Sequence, residues 1–414
     1  MLSLGLEIRT ALPSARLTLV REIDITSELD SLLESHFVGL HSGGGRSSIQ
    51  GGQSAADQAL ATLDITGYAK KRSQVLPIST RGASVLSPYI RHNLLTLKQV
   101  WDHVVKAPYD DREKFRDELL WQEYARHLYA RVGVRLFANL RYEQSLNQMG
   151  DGWSKDINCV AGTVEELERD GWLVNQTRMW LASEWTVRNG LGWIHGQERM
   201  YRELIDGSRA ANLLGWQWTV GSGSGKPYGF SRWQVEKRAA QYCNGCALNK
   251  NCPIQDFPEE TSLPEVALEP LLKFDPDPSA TAGPREALRN RQATEVLLTI
   301  DSLGDHDPAL AAHPDLPVVF MFNEAALAKL QLSSKRIYFY LETLQDLATR
   351  RNLRVFVGDP VKYAAENSVA VTFAPVPSFR KFYNLAEIHP YPWLRTPHAS
   401  SVLSFSSWRN KLGK

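Results

Sequence analysis

Four cysteines, Cys159 and the close set Cys243-x2-Cys246-x5-Cys252, are the only cysteines among 414 residues. Thiolates are soft ligands, so four of them suit either a tetrahedral zinc ion or an iron–sulfur cluster, and both accept one ligand from far away in sequence. Spacing alone leaves the two open. Asn244-Gly245 inside the x2 gap and Pro253 after the last cysteine supply the turn chemistry that a ligand loop needs. Inert buried thiols and disulfides are the competing readings. A chain of this length buries a core without disulfides, and no apolar signal segment opens it. The second concentration of chemistry is aromatic: ten of the twelve tryptophans lie between Trp101 and Trp233, and Gly215-Trp216-Gln217-Trp218 stands just ahead of the cysteine trio. Indole rings fill volume and also lose an electron more readily than other apolar side chains, so thiolates beside tryptophans point to redox chemistry.

The elements that must position these groups fall into two kinds. From Ala55 to about Ser231 the pattern is helical, with apolar groups at three- and four-residue intervals in segments such as 117–128. Six prolines between 258 and 285 mark a boundary. Beyond it, short apolar runs at 295–300, 317–322, 354–357 and 369–373 alternate with helical stretches such as 333–350, the pattern of a parallel sheet with right-handed crossovers. The expected class is α plus α/β: a large all-helical domain over 1–257, a proline-rich linker over 258–288, a small Rossmann-like α/β domain over 289–400 and a tail over 401–414. The Gly/Ser-rich stretch 41–48 reads as a mobile loop. The 47 basic and 46 acidic side chains nearly cancel, so any nucleic-acid site must be a local patch. With no run of 18 apolar residues, no membrane span and a cytoplasmic location are expected.

Four blocks carry a family resemblance: Ser84-Val85-Leu86-Ser87-Pro88-Tyr89-Ile90, Trp121-Gln122-Glu123, Asn175-Gln176-Thr177-Arg178-Met179-Trp180-Leu181-Ala182-Ser183, and the run from Asp206 to Trp218. Their order and spacing over about 51–257 resemble the helical FAD-binding domain of the photolyase/cryptochrome family. The cysteine set resembles that of the family's iron–sulfur branch, which raises a 4Fe–4S cluster on Cys159, Cys243, Cys246 and Cys252 above zinc. The stretch from Asp301 to Leu310 resembles the start of the family's antenna domain, which normally precedes the helical one, so the order is permuted. Ser302 and Gly304 replace the usual arginines, which puts an antenna chromophore in doubt.

The resemblance implies roles residue by residue. Tyr68, Ser84, Val85, Leu86 and Ser87 would receive the FAD phosphates, with Trp121 in the same cofactor-binding set. Arg178 and Asp206 match the ion pair beside the flavin, and Asn212 the residue facing its N5. Ser208 replaces a usual aspartate. Trp216 and Trp193 match the inner members of an electron relay whose third member is open between Trp153 and Tyr201. Glu123, Asn175, Met179 and Trp218 match the lesion pocket, and Arg126 stands where a stacking tryptophan is usual. Lys70, Lys71, Arg72, Arg81, Arg91, Lys226, Arg232, Lys237 and Arg238 would offer DNA phosphates a local patch. The implied activity is light-driven repair of cyclobutane pyrimidine dimers in single- or double-stranded DNA by a deoxyribodipyrimidine photolyase. The alternative is a cryptochrome-like photoreceptor that does not repair.

Overall fold

Four short apolar runs in the last third of the chain form the centre of a sheet in the computed structural model, which describes residues 20–259 and 262–412. Residues 1–19 of the expected helical domain, Glu260 and Thr261 of the expected linker, and the last two residues of the tail lie outside the described residues. The strands are β1 (Arg21–Ile23), β2 (Glu295–Leu298), β3 (Val318–Asn323), β4 (Leu353–Gly358), β5 (Val369–Thr372) and β6 (Glu387–His389). They are ordered β1-β4-β3-β2-β5-β6. β2 pairs in parallel with both β3 and β5, β3 with β4, and β5 with β6. Val296, Val318, Val355 and Val369 are fully buried. Helices and loops cover both faces, which is why these strands read as continuous apolar runs and not as alternating ones. The chain winds outward in both directions from β2, so a switch point lies between β2 and β5, and a ligand crevice is expected beyond their carboxyl ends.

The helices that bear on the site are α1 (Leu29–His36), α2 (Gln53–Ala61), α3 (Ser87–Arg91), α4 (Tyr109–Val132), α5 (Asn158–Asp170), α6 (Asn175–Ala182), α7 (Trp193–Glu203), α8 (Arg209–Val220), α9 (Arg232–Asn244), α10 (Pro308–Ala312), α11 (Ser334–Ala348) and α12 (Phe405–Arg409). The central post is α4. Asp110 and Asp111 stand in its first turn, where the helix dipole favours negative charge, and Gly133 stops it at φ +63°.

The structure redraws three expected boundaries. The start of the chain is not wholly part of the helical domain: β1 pairs antiparallel with β4, Ile23 opposite Val355, and Phe37 packs edge-on against Phe322 with ring centroids 4.8 Å apart. Without β1, β4 would be an open edge, and three residues suffice to cover it. The Gly/Ser-rich stretch is fixed, not mobile, because Ser42 N–H donates to Leu332 O and the Gly43 and Gly45 carbonyls accept from Ser334 N–H and Ser334 Oγ. The proline-rich segment and the tail are not spacers either. Asp275 pairs with Arg131 of α4 at 3.2 Å, and Trp408 of α12 is fully buried with its Nε1–H donating to His127 Nδ1 at 2.8 Å. That bond leaves Nε2 of His127 to donate to Arg395 O at 2.8 Å. Burial holds the ring neutral, its pKa pushed down to about 3.

The antenna-like segment is also explained by packing. Leu303 N–H donates to His92 O, and a Cβ at Gly304 would meet Asn93 O at 2.3 Å. An arginine has no room there, because this stretch is buried against the turn after α3.

Candidate functional site

Beyond the carboxyl ends of β2 and β5, where the switch point meets the helical layer, lies a cavity of about 190 Å³. The sheet side contributes Ile300 and Asp301 after β2 and Pro375 and Val376 after β5, and the helical side contributes Ser87, Arg126, Arg178, Asp206 and Ser208. Four residues assigned to the cofactor from sequence, Ser87, Arg178, Asp206 and Ser208, therefore meet on one wall. Arg178 Nη2 donates to Asp206 Oδ2 at 2.7 Å and its Nε to Leu173 O at 3.0 Å, which fixes the guanidinium plane. The other oxygen of this buried carboxylate, Asp206 Oδ1, has no partner. A buried acceptor without a donor is costly, and a ligand that brings an N–H or O–H removes that cost. Ser208 caps α8 and Ser87 Oγ accepts from Trp172 Nε1. Just before α3, Val85 holds φ +54°, a left-handed conformation that a β-branched residue rarely adopts outside functional loops.

The wall is rich in cations: Arg91, Arg126, Arg178 and Arg209 all reach it. Arg91 is held by Asp301 at 2.7 Å and Arg209 by both oxygens of Glu198 at 2.6 and 2.9 Å. Sequence reasoning missed Arg209, whose only signal was its place in the Asp206–Trp218 block, and Tyr391, which lies far from every block. The donors suit an anionic ligand such as a dinucleotide. Cofactor pockets run to roughly 300–1,000 Å³, so the closed part of the cavity holds part of a dinucleotide.

Other expected cofactor residues stand apart from the cavity. Ser84 and Val85 are half-buried and Leu86 buried in the loop leading into α3. Tyr68 packs edge-on against Phe115, with centroids 4.9 Å apart. Trp121 stacks on Phe405 at 4.0 Å, so its ring belongs to the interface with the tail. Asn212 donates its amide to Gln197 O and Oε1.

The expected lesion pocket is divided. Asn175 is exposed, Met179 half-buried and Trp218 43% exposed, on the surface of α6 and α8. Glu123 is instead fully buried, with Oε1 accepting from Arg395 N–H at 2.8 Å and Oε2 lacking a hydrogen bond. Arg126 lies 3.9 Å from it and donates to Ile90 O. Burial outweighs Arg126 and pushes the Glu123 carboxyl up to about 7. A raised acid pKa favours the folded protein below the unfolded value near 4.5, and that advantage is lost as pH rises through about 7. Glu123→Gln removes the cost of ionisation, so urea unfolding should find it gaining about 2–3 kcal/mol on wild type between pH 5 and pH 8. A pH-independent difference would mean that Glu123 ionises freely.

Trp216 and Trp193, the two indoles expected in a relay, are both buried in the helical layer. Trp193 is fully buried and donates to Asn139 Oδ1 at 3.1 Å. Gly196 separates two other indoles: a Cβ there would lie 2.3 Å from Trp216 Cη2 and 2.8 Å from Trp185 Cγ. Trp185 lies on the π-helical turn Ser183–Arg188 and packs edge-on against Trp153, centroids 5.2 Å apart. Tyr201 lines the cavity beneath Arg209, whose Cζ is 3.6 Å from the ring.

All four cysteines are free and line one small cavity with Ile157, Tyr242, Asn249 and Ile254. Cys159 opens α5 and Cys243 ends α9, two helices packed together, while Asn249 Nδ2 donates to Cys243 O at 2.8 Å and is itself gripped by Arg232. Among the described residues, no three thiol sulfurs lie within 4.8 Å of one another. A tetrahedral zinc site would bring them to about 3.8 Å, given Zn–S near 2.3 Å. The space between them is about 20 Å³. A metal–thiolate bond is much shorter than a non-bonded contact of about 3.5–4.0 Å, so a bonded group needs less room than a free one. Burial pushes the Cys159 and Cys243 thiols up, with neighbouring cysteines adding to the shift.

The expected basic patch is thinner than its residue count. Arg81 is spent on Glu166, Arg91 on Asp301 and Arg232 on Glu236. Lys70 and Lys71 are exposed, and Lys237 Nζ sits 4.9 Å above the exposed Trp233 ring. No described helix is long and apolar enough to cross a membrane.

Residues 115–242 match the family described as the FAD binding domain of DNA photolyase. A deoxyribodipyrimidine photo-lyase of Alkalihalophilus pseudofirmus is 28% identical over 172 residues, 39% of this chain and 35% of the relative. A cryptochrome DASH of Gloeobacter violaceus is 29% identical over 172 residues, 38% and 33% of the two chains. The solved cryptochrome of Synechocystis aligns over 47% of this chain and 45% of its own, at 22% identity and a TM-score of 0.43. The chain thus spans about a third of the length of the curated relatives it matches. Over residues 115–242, this chain is thus similar to the FAD-binding domain of the photolyase/cryptochrome family.

Proposed function

We propose that this chain is a flavoprotein that repairs cyclobutane pyrimidine dimers in DNA by light-driven electron transfer. The observation that carries the reading is the meeting of Ser87, Arg178, Asp206 and Ser208 on one arginine-rich wall, within a chain whose relatives are mostly named photo-lyase. FAD, when bound, supplies light absorption and one-electron chemistry. Ser87 and the arginines would hold its phosphates, and Asp206 Oδ1 would accept an N–H or O–H from it. Arg178, locked by Asp206, favours negative charge at the wall without having to reorganise. Trp216, Trp185 and Trp153 would pass an electron inward, each indole refilled by the next, with Trp193 as the family-like branch. Cys159, Cys243, Cys246 and Cys252, which line one small cavity, would hold a 4Fe–4S cluster. Met179, Asn175 and Trp218 offer a flipped dimer an apolar face and an amide.

A photoreceptor that does not repair is the second reading, favoured by Glu123 being sealed beneath Arg395 and by Arg126 reaching into the cavity. The test is binding and repair of dimer-containing single- and double-stranded oligonucleotides by reduced, illuminated protein. The repair reading expects tighter binding of damaged DNA and monomer product, with Met179→Ala cutting the preference by roughly 1–3 kcal/mol through lost apolar contact. Equal binding of damaged and undamaged DNA without repair would leave the receptor reading in its place.

A further inference from the structure

Away from the cavity described above, on the α10 side of the sheet, three side chains that could ligate a metal converge. His389 ends the edge strand β6, Glu387 begins it, and His313 follows α10. Residues two apart on a strand share a face, so Glu387 and His389 point to the same side, and α10 brings His313 over them. Their donor atoms all lie within 4.8 Å of one another: His313 Nε2 is 3.1 Å and His389 Nε2 3.0 Å from the same oxygen, Glu387 Oε1. The carboxylate is 3% exposed and His389 4%, while His313 is half-buried and leaves one side open to solvent.

We propose that His313, Glu387 and His389 form a binding site for a divalent transition-metal ion of the Zn²⁺ type. Two imidazoles and one carboxylate are a donor set that such ions take with a position left for water. Tetrahedral bonds of about 2.0–2.2 Å to nitrogen and oxygen put neighbouring ligand atoms roughly 3.3–3.6 Å apart, so the 3.1 and 3.0 Å separations to Glu387 Oε1 need to lengthen by only a few tenths of an ångström to admit an ion. The ion would tie the end of α10 to an edge strand only three residues long. The competing account is a hydrogen-bonded triad in which both imidazoles donate Nε2–H to Glu387 Oε1. Arg289 Nε lies 3.7 Å from that oxygen on a largely exposed side chain, too far for a hydrogen bond.

Glutamine separates the two accounts, because the Glu387→Gln amide oxygen still accepts both N–H groups but brings no negative charge to an ion. The experiment uses Co²⁺ as the probe on full-length protein with its cysteine site as purified, so that thiolate charge-transfer bands in the near ultraviolet report any binding at the thiols. The expected result is one Co²⁺ per chain with visible d–d bands and no thiolate bands, and a rise in melting temperature. Affinity should fall at least tenfold in Glu387→Gln and at least 100-fold in His389→Ala, with metal-free Glu387→Gln melting as wild type does. Co²⁺ binding that is unchanged in both variants, binding only with thiolate bands, or no binding at stoichiometric concentration would overturn the proposal in favour of the hydrogen-bonded triad.

Discussion

On the proposed 4Fe–4S reading, Cys243→Ala protein purified without oxygen is expected to lose its iron and to unfold at lower denaturant than wild type. The reason lies in where the four thiols come from. Cys159 opens α5, and the other three follow the kink at Ala239 within α9 and the turn beyond it. A group bound to all four closes a loop of more than eighty residues between Cys159 and Cys243. By analogy with a covalent cross-link over such a loop, its loss should cost roughly 2–5 kcal/mol. Apolar surroundings make bare thiols at these positions cheap, so alanine by itself costs much less. Iron and acid-labile sulfide content, read together with urea unfolding, distinguish the outcomes. Zinc in the wild-type protein, or a variant as stable as wild type, would remove the cluster from the account.

Trp216→Phe should retain flavin, because the ring is buried behind Gly196 and phenylalanine fills most of the same volume. Photoreduction by an external thiol should nevertheless slow roughly tenfold or more, a barrier change of about 1.4 kcal/mol or greater, since phenylalanine is far harder to oxidise. The packing adds a comparison between two routes. If electrons come through Trp185 and Trp153, Trp185→Phe should slow the reaction as much as Trp216→Phe, while Trp193→Phe leaves it near wild type. The reverse ranking would return the relay to Trp193. An unchanged rate in all three would make these indoles core filler, which their burial alone also permits.

What the sequence determined by itself was local or periodic. The buried strands β2 to β5 were legible because runs such as Val318-Val319-Phe320 have strand length and lie between turn signals, and the alternation of strand and helix implied the parallel order. The gathering of Ser87, Arg178, Asp206 and Ser208 was legible only through family resemblance, since nothing in their spacing says that α3, α6 and the start of α8 share a wall. Tertiary structure decided the rest, through contacts between residues hundreds of positions apart. Arg21-Glu22-Ile23 is too short to read as a strand until β4 offers it an open edge. Glu123 looks like a pocket acid until Arg395 caps it, and Trp121 looks like a cofactor residue until Phe405 stacks on it. His313, Glu387 and His389 carry no motif at all: a helix end and an edge strand meet only because the sheet places β6 beside β5 and α10 packs over both. Periodicity reports which face of an element is buried. Only the fold reports what buries it.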